Sequence, residues 1–260
     1  RAPPVVSGRR PGTREVGRIA ALLALSIALG VYYVVAESLP DLSLWWEVAF
    51  LSFLVIPAVF ALVYLALPLY RAPRLLVAGV AVALLAAVLQ LVDLDVLANF
   101  AKLAAVTLIA WWFLTYFETV AWVALVALII PWVDAISVWR GPTKHIVTHQ
   151  RELFTTFSFA FPVPGEENTA QLGLPDLMFF ALFLGASARW GLRTKLTWAA
   201  MTLSFGATLA LAVARDSGGL PALPLLALGF LMPNADLLWR RLRAERAWGS
   251  LKSERSTARE

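Results

Sequence analysis

Cysteine is absent from the 260 residues, histidine occurs twice, methionine three times, and only 15% of the chain is charged. Without cysteine there is no disulfide, no thiol nucleophile and no cysteine-bound metal. The two histidines, His145 and His149, stand four residues apart with no acidic cluster beside them, so a third ligand is missing and no metal site is expected. Strict alternation of apolar and polar residues is also lacking, which excludes membrane strands of about 10 residues. No internal repeat is evident, so an inverted-repeat transporter gains no support. The scarcity of charge, against about 25% in ordinary soluble domains, excludes a soluble globular class.

What the chain has instead is apolar length. It is 60% hydrophobic with mean hydropathy +0.74. Apolar runs of about 20 residues, enough to cross roughly 30 Å of hydrocarbon as helix, recur. They lie at residues 16–36, 44–69, 75–91, 96–115, 120–139, 173–189, 194–213 and 220–239. The pattern predicts an all-α polytopic membrane bundle of eight helices. Arg9, Arg10, Arg14 and Arg18 precede the first run as in a signal peptide, but the run is too long for an h-region and no Ala-x-Ala site follows, so it reads as a retained helix.

An isoelectric point near 9.9 does not point to nucleic acid, because the cations sit in tails and short loops where orientation and anionic lipid explain them. With eight helices, 17 basic residues fall on the side of the tails and even-numbered loops and 4 on the other. Both termini are therefore expected in the cytoplasm. The eleven tryptophans read mainly as interfacial anchors.

One connection, residues 140–172, is long and polar. Loops of that length are usually functional or disordered. Residues 143–154 predict a short interfacial helix. The Phe157-Ser158-Phe159-Ala160-Phe161 alternation predicts a strand closed by Pro162 and Pro164, and residues 165–171 a mobile polar linker.

Two aspartates lie inside apolar sequence. Asp134 follows Leu-Ile-Ile-Pro-Trp-Val, and Asp176 follows Leu-Gly-Leu-Pro. An isolated carboxylate in mid-bilayer costs about 3 kcal/mol on insertion scales, so such acids mark proton paths, ion sites or catalysis. Asp134 stands near the end of the fifth run and Asp176 in the first turn of the sixth. Consecutive helices are antiparallel, so both acids reach one side at similar depth, and Pro221-Ala222-Leu223 starts the eighth run from that side. Two carboxylates sharing a low-dielectric site do not readily ionise together. Such a pair holds one proton, suited to activating water with one acid and protonating a carbonyl with the other.

These residues resemble the presenilin and signal peptide peptidase family of intramembrane aspartyl proteases, whose pattern is Tyr-Asp, Gly-x-Gly-Asp and Pro-Ala-Leu on successive helices. The chain carries Val133-Asp134, Gly173-Leu174-Pro175-Asp176 and Pro221-Ala222-Leu223 in that order. The likeness covers about residues 117–231, including the Trp139-Arg140-Gly141-Pro142 exit from the first Asp helix, and it resembles a prokaryotic, plasma-membrane member. Val133 replaces the family tyrosine, Pro175 replaces the second glycine, and eight helices stand where the family has nine.

The resemblance implies Asp134 and Asp176 as catalytic residues. It implies Gly173, Leu174, Pro175, Phe159, Ala160, Pro221, Ala222 and Leu223 as substrate-binding residues, with no cofactor, and with membrane-spanning protein helices as substrates. Residues 1–116 form the N-terminal helices, 117–240 the catalytic helices and 241–260 a basic tail.

Other charges have structural readings. Lys102 and Glu118 near helix ends are expected to snorkel or sit in an interface, and Asp236 to pair with Arg240 or Arg241 on its own helix. Two rival functions stay open. In one, a transporter or channel uses the Asp pair as a proton or cation site; in the other, an inactive scaffold keeps the fold.

Overall fold

A computed structural model of the chain describes residues 13–140, 156–216 and 220–257. The expected interfacial helix at 143–154, both histidines and the Gly141-Pro142 exit lie outside the described residues. Helix α1 (Thr13–Val35) ends in a single 3-10 turn, and the next rod joins α2 (Leu44–Phe50), a π-helical segment (Leu51–Val55), α3 (Ile56–Ala66) and a 3-10 turn (Leu67–Arg71). The wide turn falls immediately before Pro57, whose ring has no N–H and crowds the preceding carbonyl, so the widened ladder accommodates it. There follow α4 (Leu75–Leu91), α5 (Asp95–Phe113) with a 3-10 extension to Tyr116, and α6 (Val120–Arg140). Strands β1 (Ser158–Pro162) and β2 (Thr169–Gly173) precede α7 (Leu174–Arg189), α8 (Thr194–Ala214) and α9 (Leu223–Thr257).

Among the described residues, five helical rods are long and apolar enough to cross a membrane: Thr13–Ser38, Leu44–Arg71, Asp95–Tyr116, Val120–Ser137 and Thr194–Ala214. Helix α4 is apolar but has 17 residues, and α7 has 16. Large apolar side chains also cover the outside, among them Trp46, Phe53, Leu91, Trp132 and Met232, each more than 70% exposed. An apolar surface this extensive calls for lipid or a partner rather than water.

Helix α7 is short because it is central. Leu177 and every residue from Phe180 to Ser187 are buried, a helix apolar on all sides and enclosed by its neighbours. Phe180 stacks on Phe60 at 4.1 Å between centroids, and Phe183 on Phe230 at 4.8 Å. In lipid, burial of apolar surface drives helix association little, and interhelical hydrogen bonds average about 0.6 kcal/mol, so close packing has to contribute. Two glycines allow it. A Cβ at Gly229 would stand 2.9 Å from the Met201 main chain, bringing α9 onto α8, and one at Gly185 would meet Trp111 at 2.8 Å. Trp111 then donates its indole N–H to Ala181 O at 3.0 Å, tying α5 to α7.

The linker expected at 165–171 is corrected: residues 169–173 are strand β2, antiparallel to β1 with Ala160 opposite Gln171. Its alternation explains this. Ala170 and Leu172 pack with Phe159 and Phe161 toward the core, while Ser158, Ala160, Pro162, Thr169 and Gln171 line a cavity of about 420 Å³. The intervening turn has Gly165 at φ 78, and its N–H donates to Ala36 O at 2.9 Å. A Cβ there would fall 2.2 Å from the Asp41 carboxyl, so only glycine lets the turn lie on the loop between α1 and α2.

The expected pairing of Asp236 is also corrected. Its partner is Arg193 in the α7–α8 connection, through two bonds of 2.6 and 2.8 Å. Arg193 also donates to Pro233 O, a carbonyl beside Asp236, and its main-chain N–H to the buried Asn234 side chain. These fixed partners across the chain outcompete arginines one turn along the same helix.

Candidate active site

Asp134 lies on α6, three residues after Pro131, whose missing N–H takes a donor from the helical turn before the acid. Helix α6 packs chiefly against α9 and touches α7 only lightly. The contact with α9 is direct chemistry: the Leu223 N–H donates to Asp134 Oδ2 at 3.0 Å. Leu223 is the first residue of α9, where main-chain donors have no partner inside the helix. Pro221 precedes it partly buried, Ala222 is buried, and the Ala222 carbonyl accepts from Leu226 at 3.1 Å. The three residues predicted together thus present a helix start to the first acid.

Asp176 lies in the first turn of α7, close enough to Asp134 for the two charges to act on each other. Gly173 is its other neighbour. The Gly173 main chain faces the Asp176 carboxyl, and a Cβ on Gly173 would lie 3.2 Å from Asp176 Oδ2. Pro175 occupies the opening turn of α7, where its fixed φ suits the helix and its missing N–H costs nothing. Leu174 N–H closes the hairpin by donating to Phe157 O at 3.0 Å, so the strand runs straight into the helix bearing the acid.

Hydrogen bonding between antiparallel strands alternates. With Leu174 bonded to Phe157, the paired positions are Phe159 with Leu172 and Phe161 with Ala170, and the polar atoms of Ala160 and Gln171 point away from the ladder. Phe159 is fully buried against Tyr33, Phe100 and Phe161, so its side chain belongs to the core. Ala160 N–H donates to Asn99 Oδ1 at 2.9 Å and Ala160 O accepts from Asn99 Nδ2 at 2.8 Å. The main-chain donor and acceptor of both Phe159 and Ala160 are therefore engaged within the protein. Along the outer edge of β2, by contrast, the Gln171 main chain has no partner among the described residues.

Asn99 and the two tyrosines that touch β1 were not singled out by sequence. Asn99 had a signal, a polar amide inside the apolar run Leu97-Ala98-Asn99-Phe100, of the same kind that marked the aspartates. Lys102 lines the cavity over the polar face of the hairpin, together with Glu37, Asp95, Glu166 and Glu167. Glu118 is exposed in the connection before α6. No protein-family model matches this chain, and no curated protein sequence matches it.

Proposed function

We propose that this chain is an intramembrane aspartyl protease that hydrolyses peptide bonds within the membrane-spanning helices of other proteins. The observation that carries the reading is the convergence of three chain segments on one pair of acids. Asp134 on α6 and Asp176 on α7 lie within electrostatic reach, and the start of α9 donates its Leu223 N–H to Asp134. In this reading one carboxyl group removes a proton from water as the oxygen bonds to the scissile carbonyl carbon. The other gives its proton to the carbonyl oxygen. The diol intermediate then collapses as the leaving nitrogen is protonated, and the pair is returned with a single proton. Leu223 holds Oδ2 of Asp134 and leaves Oδ1 for water.

A helical substrate has its carbonyls bonded internally, so it must unwind before it is cut. The open edge of β2 beside Asp176 supports a way to hold the unwound segment, by main-chain pairing as an added strand. Such pairing is indifferent to side chains and suits many substrates.

The same reading takes the eight helical rods as eight crossings of a prokaryotic plasma membrane, with both termini cytoplasmic. Purified protein incubated with single-span substrates, with cuts located by mass spectrometry, tests the function. Cleavage that disappears in Asp134→Ala and in Asp176→Ala, with both variants folded, supports it. No cleavage, together with ion flux in liposomes that depends on the same acids, would establish the transporter alternative.

A further inference from the structure

We propose that Asn99 is a positioning residue for cleavage, its side-chain amide standing in for a neighbouring strand along β1 so that the hairpin meets substrate only through the β2 edge beside Asp176. This role rests on the protease reading above. A side-chain amide carries the same donor and acceptor as a peptide group. The reciprocal bonds of 2.8 and 2.9 Å from Asn99 to the carbonyl and N–H of Ala160 reproduce what a strand partner makes at a hydrogen-bonded pair. Tyr33 adds a bond of 2.9 Å to the same carbonyl, and Tyr32 donates to Pro162 O at 2.6 Å. Proline has no N–H to offer, so from Ala160 to Pro162 the outer edge of β1 is spent.

Asn99 is 6% exposed and lies within the apolar rod Asp95–Tyr116. A buried amide is costly unless paired, and an apolar residue would fill the space without that cost. What the amide adds is direction. A hairpin with two open edges accepts a strand on either side, whereas a hairpin with one closed edge leaves a single choice. Ala160 stands directly opposite Gln171, so fixing Ala160 also fixes the open edge leading through Gly173 to Asp176. Holding that edge before substrate arrives removes an ordering cost from binding and sets which bond reaches the acids.

The test measures kcat, KM, cut positions and unfolding temperature for the full chain acting on a single-span substrate, with hydrogen exchange over residues 157–163 recorded without substrate. Asn99→Ala should lower kcat/KM by about tenfold or more, since small misplacements near reacting groups have large effects. Its cuts should spread to adjacent bonds, and exchange at the Ala160 amide should rise. Asn99→Gln, which keeps the amide on a longer stem, should restore part of the selectivity. Leu103→Ala, one turn along α5 and buried, should lower the unfolding temperature without spreading the cuts.

Asn99→Ala cutting the parent's bonds with kcat/KM within about twofold, far short of the loss a misplaced site gives, would overturn the role. A spread of cuts reproduced by Leu103→Ala would do so too. If Asn99→Ala does not fold, Tyr33→Phe removes the hydroxyl that bonds Ala160 O and lies against the Asn99 amide, and it should spread the cuts in the same direction; unchanged cuts there overturn the role. A parent that cleaves nothing defeats the protease reading and this role with it. A parent that cleaves, depends on Asp134 and Asp176, and is indifferent to Asn99 defeats this role alone.

Discussion

The main-chain N–H of Leu223 donates to Asp134 Oδ2 at 3.0 Å, across a separation of 89 residues. The bond links the start of α9 to the acid on α6, and it gives the Pro-Ala-Leu segment a role that depends on backbone rather than side chain.

That role can be isolated. Leu223 is the first residue of α9, a position where proline is well tolerated, so Leu223→Pro should remove the donor while keeping the helix start. Leu223→Ala keeps the N–H and loses the buried side chain. The bond fixes the position of the carboxyl, and a misplacement of a reacting group by about 1 Å can cost about a hundredfold. Cleavage should therefore fall by about that factor in Leu223→Pro and much less in Leu223→Ala, with unfolding temperatures showing the reverse order. Equal rates in the two variants would show that the bond does not matter.

Gly173 offers a change in which activity and stability move apart. Its φ of −59 and ψ of 140 are open to any residue, so Gly173→Ala should leave stability unchanged or raise it by about 0.5 kcal/mol through the unfolded chain. The added Cβ would stand 3.2 Å from Asp176 Oδ2 and 3.5 Å from Pro175 Cδ, pressing on the carboxyl. Cleavage should drop while the unfolding temperature holds or rises. A fully active Gly173→Ala protein would show that Asp176 has room to spare.

Sequence reveals the acids for the same reason that it hides their supports. Asp134 and Asp176 stand out because charge in an apolar run is costly, and Pro221 marks a helix start. The donor from Leu223 is a backbone group with no residue-type signal. Strand β2 is five residues long, and its Thr-Ala-Gln-Leu-Gly alternation is too brief to separate from a polar loop without β1 beside it. Asp236 shows the opposite failing: arginines on its own helix suggest a local pair, and only the packed α7–α8 connection brings Arg193 to it.

A shared proton has kinetic consequences. In the proposed mechanism cleavage needs one carboxyl ionised and the other protonated, so kcat/KM should follow a bell-shaped pH curve whose two limbs belong to the pair. Compounds carrying a hydroxyl in place of the attacked carbonyl should inhibit by occupying the water position between the acids, and chelators should leave the rate unchanged. A rate that rises to a plateau at high pH would mean that no proton donor is required.

Topology is open to a clean measurement because the chain has no cysteine. Glu166 is exposed in the turn between β1 and β2, so Glu166→Cys introduces a single reactive thiol at the hairpin. On the proposed reading of eight crossings, the 17-to-4 distribution of basic residues would put the tails in the cytoplasm and this turn on the opposite face. A membrane-impermeant maleimide should then label intact cells. The site would accept substrates whose unwound segment runs in the matching direction, because strand pairing has polarity, and single-span proteins with cytoplasmic N-termini should be cut in preference to their reversed counterparts. Labelling only after the membrane is opened would reverse both the topology and the substrate preference.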